Sequence, residues 1–185
     1  MIQAMLQSTI YEVEINEIIQ NIQHFVNQSK KSVPVSVCPY CHIEPASHSF
    51  QLIKQIPQRQ EPRQEPIQEP QYQSHYYIYY TKPSSATMYN DNQGIMSHYR
   101  NELERTNVKH TANRWIWILD ADEFSLKHAT NLSLVKKLST LITNEYGENL
   151  TAIYVLNTNT FMWMMWSSVS FFLDETLTRK IHFLK

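Results

Sequence analysis

Proline recurs at every fourth position from residue 62 to residue 70, in the strict repeat Gln60-Glu61-Pro62-Arg63, Gln64-Glu65-Pro66-Ile67, Gln68-Glu69-Pro70-Gln71. Each proline fixes φ and offers no backbone N–H, so a run this dense closes neither a helix nor a sheet ladder. The segment 57–74 therefore reads as an extended linker between a region 1–56 and a region 75–185. Its spacing is P-x-x-x-P, which does not fit the P-x-x-P ligands of proline-binding modules.

The sequence has only two glycines, Gly94 and Gly147. A Walker loop needs two glycines and the dinucleotide fingerprint three, because only glycine lets backbone amides approach a phosphate so closely. Neither motif can be written here. Gly147 falls at a helix C-terminus, a position suited to positive φ, whereas Gly94 has no evident duty. Residues 1–75 carry five Lys/Arg against seven Asp/Glu, and residues 76–185 carry eleven against ten. Neither half has the basic excess that binding by counterion release requires, so nucleic acid is not expected as a partner. With two cysteines and no leader-like start, the expectation is a reducing, cytoplasmic location, with peripheral contact at membranes allowed. Ala152 to Leu173 lacks charge, but Asn157-Thr158-Asn159-Thr160 cuts it. The remaining apolar run is shorter than the roughly 20 residues a spanning helix needs.

In region 1–56, Ile10, Val13, Ile18, Ile19, Ile22, Phe25 and Val26 fall at helical spacing and predict an amphipathic helix over 9–31. Cys38-Pro39-Tyr40-Cys41-His42 follows. Two thiolates at this spacing supply half of a tetrahedral zinc site, which His42 or His48 could extend. A closed site needs four ligands and no second cysteine pair exists, so Cys38, Cys41, His42 and His48 are weak zinc candidates; no metal or other cofactor is expected. The same run reads as a haem attachment signal, which the reducing location argues against. Phe50, Leu52, Ile53 and Ile56 hint at a short helix before Pro57.

After the linker, strands and helices alternate. Strands are predicted at 75–80, 115–119, 152–156 and 181–184, and helices at 92–107, 131–146 and 161–173. This order predicts an α/β domain on a mostly parallel sheet flanked by helices, preceded by the small helical N-terminal region.

Four landmarks in this region occur in the order and spacing of a known family. They are Leu119-Asp120-Ala121-Asp122-Glu123-Phe124-Ser125, then Tyr146-Gly147-Glu148, then Asn157-Thr158-Asn159, then Phe172-Leu173-Asp174 with Lys180-Ile181. Residues 76–185 thus resemble the CRAL-TRIO domain of Sec14-like lipid-transfer proteins. The resemblance implies a deep apolar pocket that shields one lipid from water, on the order of several hundred Å³ in volume, and no catalysis. It places the headgroup contacts of phosphatidylinositol, or of a phosphoinositide, on Glu148 and Lys180. A carboxylate accepts from inositol hydroxyls and an ammonium is a point charge for the phosphodiester.

The departures from the family pattern shape the expectation. Trp115 and Trp117 replace small hydroxyl residues, and being two apart on a strand both indoles face one side of the sheet, against a choline headgroup. Glu123 replaces a glycine. The family continues past the position of Lys185 through a gate helix, so either the pocket has collapsed around Trp115, Trp117, Phe161, Trp163 and Trp166, or a protein partner covers it. The first alternative to lipid binding is therefore an interaction module with a filled pocket. The second is a metal-dependent glycosyl or phosphoryl enzyme, since Asp120-Ala121-Asp122 at a strand end can hold Mg²⁺ or Mn²⁺.

Overall fold

The computed structural model describes residues 17, 20, 21, 42, 45–57, 75–110 and 112–184. The chain divides into two units, 1–35 and 36–185. In the first, Glu17, Gln20 and Asn21 are helical. The rest of the helix expected over 9–31, the proline repeat, Cys38 and Cys41 lie outside the described residues.

The second unit is built on a five-stranded sheet in the order β1-β2-β3-β4-β5, with β1 Gln51–Pro57, β2 His75–Thr81, β3 Arg114–Asp120, β4 Leu150–Leu156 and β5 Ile181–Phe183. β2 to β5 are parallel and β1 is antiparallel to β2. The helices are α1 Pro45–His48, α2 Asn92–Arg105, α3 Leu126–Ala129, α4 Leu132–Leu141, α5 Thr160–Val169 and α6 Glu175–Thr178. This is the mostly parallel α/β architecture that the alternation predicts. The parallel strands are neighbours in chain order, and right-handed crossovers then carry every connecting helix to one face of the sheet. The core forms between that face and the helices, from Tyr77, Tyr79, Trp115, Ile153 and Val155 below and Leu103, Leu138 and Val169 above.

The helix hinted at over Phe50 to Ile56 is instead the edge strand β1. A register shift between Leu52 and Lys54 sets Leu52 and Ile53 side by side, which breaks the period-two signal a strand ordinarily shows. Among the described residues nothing pairs with its outer edge, and its exposed side chains include Gln51, Lys54 and Gln55, which blunt further pairing. At its start Phe50, fully buried, stacks on Tyr79 at 4.7 Å and on Tyr99 at 3.8 Å. The sheet thus begins on the N-terminal side of the proline repeat.

The glycines differ from expectation. Gly147 leaves a wider π turn over Ile142–Tyr146 at φ −68°, in the right-handed region. The sequence position predicts a positive φ, but the carbonyls of Ile142 and Thr143 would lie 3.1 Å from an added Cβ, so crowding is what favours glycine. Glu123 is one of the left-handed residues, at φ 58°, at the position where the family pattern has glycine. Gly94 does have a duty: a Cβ there would come within 2.9 Å of the His48 ring and still closer to the Asp91 carboxylate. Asp91 caps α2 through its bond from the Gly94 N–H.

Candidate functional site

Between the sheet and the helices lies a cavity of about 180 Å³. β3 and β4 supply its floor through Trp117, Leu119, Ile153 and Val155, and α2, α4 and α5 close it with residues such as Ile95, Leu138 and Met165. Its volume is below the several hundred Å³ the resemblance implied, and its walls are overwhelmingly apolar. Water in such a space finds few partners, so the walls favour a slender apolar guest.

The aromatic residues separate into three groups. Trp117 and Trp166 line the cavity. Trp115 is fully buried outside the lining, with its indole N–H donating to the Tyr146 carbonyl at 3.0 Å. It shares the core with Trp117, so the two indoles do occupy one side of the sheet. Phe161 and Trp163 lie outside the lining and are 41% and 44% exposed. The five aromatics do not form one plug. The α5 helix is apolar nearly all round: Met162, Met165, Trp166 and Val169 line the cavity, while Phe161, Trp163 and Met164 face solvent.

Glu148 and Lys180 are brought to one corner, at the amino ends of β4 and β5, outside the cavity lining. The Lys180 ammonium donates to the carbonyls of Gly147 at 2.7 Å and Leu150 at 2.6 Å. Burial, then the charge of Arg114, hold its pKa below the ordinary lysine value. An ammonium has three N–H groups, so these two bonds leave one for a ligand. Glu148 is exposed and follows Gly147 directly.

The Asp-x-Asp pair is occupied structurally. Buried Asp120 accepts from the Tyr80 hydroxyl at 2.7 Å, the Asn157 amide at 2.8 Å and the Asp122 N–H at 2.9 Å. Tyr80 is pushed far above the ordinary tyrosine value, first by burial and then by its bond to Asp120. Asp122 pairs with Lys82 at 2.7 Å. Among the described residues no group of three metal-ligating side chains forms. His42 is exposed, whereas His48 is buried in the cavity wall beside Asp91.

His128 belongs to no motif in the sequence. It lies in the cavity wall, 7% exposed, and its Nδ1 accepts the Ser125 N–H at 3.0 Å. The only sequence trace of this contact is Ser125 three residues ahead of His128, a capping-box spacing with histidine in the usual place of glutamate.

The family model described as the CRAL/TRIO domain matches residues 20–185. The chain belongs to the CRAL/TRIO family. The CRAL/TRIO domain is a lipid-binding fold, and its members are generally not enzymes. Among solved structures, the chain is similar to Sfh5, at 17% identity and a TM-score of 0.45, over 58% of this chain and 43% of that one. It therefore spans less than half the length of that relative. No curated protein matches it. Among the described residues of this CRAL/TRIO chain, no helix is long and apolar enough to cross a membrane.

Proposed function

We propose that this chain binds one lipid without catalysis, with an apolar chain of the lipid held between the sheet and α5. The apolar cavity over Trp117, Ile153 and Val155 carries this reading. Transfer of hydrocarbon from water into it yields about 25 cal/mol per Å² buried. Asp120 has its oxygens engaged by three donors, which weighs against the Asp-x-Asp enzyme.

The headgroup we propose is that of phosphatidylinositol or a phosphoinositide. Lys180 would supply its remaining N–H to the phosphodiester, and exposed Glu148 would accept from inositol hydroxyls. Arg114 supports this corner, since its guanidinium donates to the Asn149 side chain at 2.9 Å and its charge is felt at Lys180. Exposed Phe161 and Trp163 are the side chains that would meet a bilayer surface, on the same helix whose other side lines the cavity.

Incubating the purified chain with mixed liposomes, then extracting bound lipid for mass spectrometry, tests both levels. A phosphoinositide enriched over its share in the liposomes, and lost in Glu148→Ala with Lys180→Met, is the expected result. Enrichment of another lipid class would retain lipid binding and remove the headgroup assignment. Absence of any lipid would favour the filled-pocket module.

A further inference from the structure

Several polar side chains in the cavity wall are hydrogen-bonded, but the two histidines there, His48 and His128, have buried ring nitrogens without a partner. The Thr81 hydroxyl lies 2.9 Å from the Trp117 indole N–H and 3.1 Å from the Tyr99 hydroxyl. The Asn131 amide donates to Asn92 at 2.8 Å. The Ser139 hydroxyl donates to the Lys136 carbonyl. At His128 one ring nitrogen, Nδ1, is bonded and only Nε2 is buried without a hydrogen-bond partner, whereas both ring nitrogens of His48 lack one.

The proton on that ring can be assigned. A backbone N–H only donates, so the Ser125 N–H at 3.0 Å makes Nδ1 the acceptor. Burial, then the charge of Lys127, lower the pKa of His128 below the ordinary value, so the ring is neutral at pH 7 and its single proton sits on Nε2. A neutral N–H is thereby left buried among Tyr89, Phe124 and the apolar wall. An unmet donor in such a place is costly, and native proteins seldom keep one without a use. Water is a poor answer, since a buried water needs two to four polar partners and the rings packed against His128 are those of Tyr89 and Phe124. His48, also in the wall, has a charged neighbour, with Asp91 3.4 Å from its Nε2. His128 has no carboxylate acting on it.

We infer that His128 Nε2–H is a ligand-recognition donor, and that the guest of this cavity carries an acceptor oxygen on its chain, as a carboxylate or an ester carbonyl does. This rests on the lipid-binding reading and narrows it: a pure hydrocarbon would leave the donor unmet. The same oxygen chemistry is offered by a free fatty acid and by the ester linkage of a glycerolipid.

The test uses the full chain with dodecanoic acid, methyl dodecanoate and tridecane as probes, read by tryptophan fluorescence and by ¹⁵N NMR of the imidazoles. Either oxygen-bearing probe should bind at least about tenfold more tightly than tridecane and shift the His128 Nε2–H resonance, and His128→Leu should remove that advantage. Preference for the acid identifies a fatty acid as the source, and preference for the ester identifies a glycerolipid. If the oxygen-bearing probes bind no better than tridecane and leave the Nε2–H resonance unmoved, the inference is overturned while lipid binding stands. If no probe binds and no lipid is extracted, the lipid-binding reading fails and takes the inference with it. Should His128→Leu not fold, the probe ranking and the resonance shift in the unmodified protein decide.

Discussion

Asp120 and His128 are eight residues apart, both are buried, and both lie near the carboxyl end of β3, yet one is saturated with hydrogen bonds and the other is not. Asp120 is met by Tyr80, Asn157 and the Asp122 N–H, which tie together β2, β3 and the turn after β4. His128 meets Ser125 through Nδ1 and nothing through Nε2. A buried polar group that is fully bonded holds a fold together, and one left open costs stability that a ligand can return. A carboxylate pair that looks like a metal site in the sequence is thus part of the scaffold, and a histidine without a motif is the open valence.

The largest expected effect is at the saturated group. Asp120→Ala leaves the Tyr80 hydroxyl and the Asn157 amide without their acceptor and removes a buried charge. The chain should lose about 3 kcal/mol of unfolding free energy in urea. A loss below about 1 kcal/mol would show that Asp120 is not structural and would break the contrast.

Next comes the response to acid. His48 and His128 both have pKa values lowered chiefly by burial, with the charge of His98 adding at His48, while the nearby Asp91 opposes that shift. The folded state therefore binds fewer protons than the unfolded chain below the ordinary histidine value of about 6.5. Stability is fully present above that pH and is lost as the pH falls through it toward the folded values. Thermal unfolding between pH 7.5 and 5 should show a falling Tm. A Tm that rises toward pH 5 would mean that the histidines are charged in the fold.

A smaller effect is expected at Glu123. Its φ of 58° strains a residue with a Cβ, and its contact with Lys82 is a loose 3.7 Å ion pair at the surface. Glu123→Gly should stabilise by about 1 kcal/mol, and no gain would show that the strain is already offset.

The smallest effect belongs to the open valence. His128→Leu removes the unmet donor but also the acceptor of the Ser125 N–H, and the two changes should cancel to within about 0.5 kcal/mol in the unliganded protein. A loss like that of Asp120→Ala would erase the distinction between the two groups.

Much of the fold was legible in the sequence, and the reasons are local. Tyr76 to Tyr80, Trp115 to Leu119 and Ala152 to Leu156 are apolar runs buried on both faces, the mark of interior parallel strands, and the helices between them keep their spacing. β1 was missed because its bulge places Leu52 beside Ile53. Gly94 gave no signal because its duty is set by the approach of His48 and Asp91. For the candidate site, the sequence marks Trp117 and Trp166 among five aromatics, and these two line the cavity, while the family resemblance marks Lys180 and Glu148. It could not show that Lys180 spends two N–H groups on Gly147 and Leu150, nor that Phe161 and Trp163 face outward. Those depend on which side of a helix or strand end meets the sheet, which composition and spacing do not specify.

On the proposed reading one lipid occupies the space above Val155, a β4 side chain 2% exposed that faces the helices and lines the cavity. Native mass spectrometry of the full chain after incubation with mixed liposomes, beside Val155→Phe, tests it most directly. The account predicts one lipid adduct per chain for the unmodified protein and none for Val155→Phe, whose ring occupies the cavity while the fold is kept. Bare protein mass in the unmodified chain, or an equal adduct on both, would contradict it.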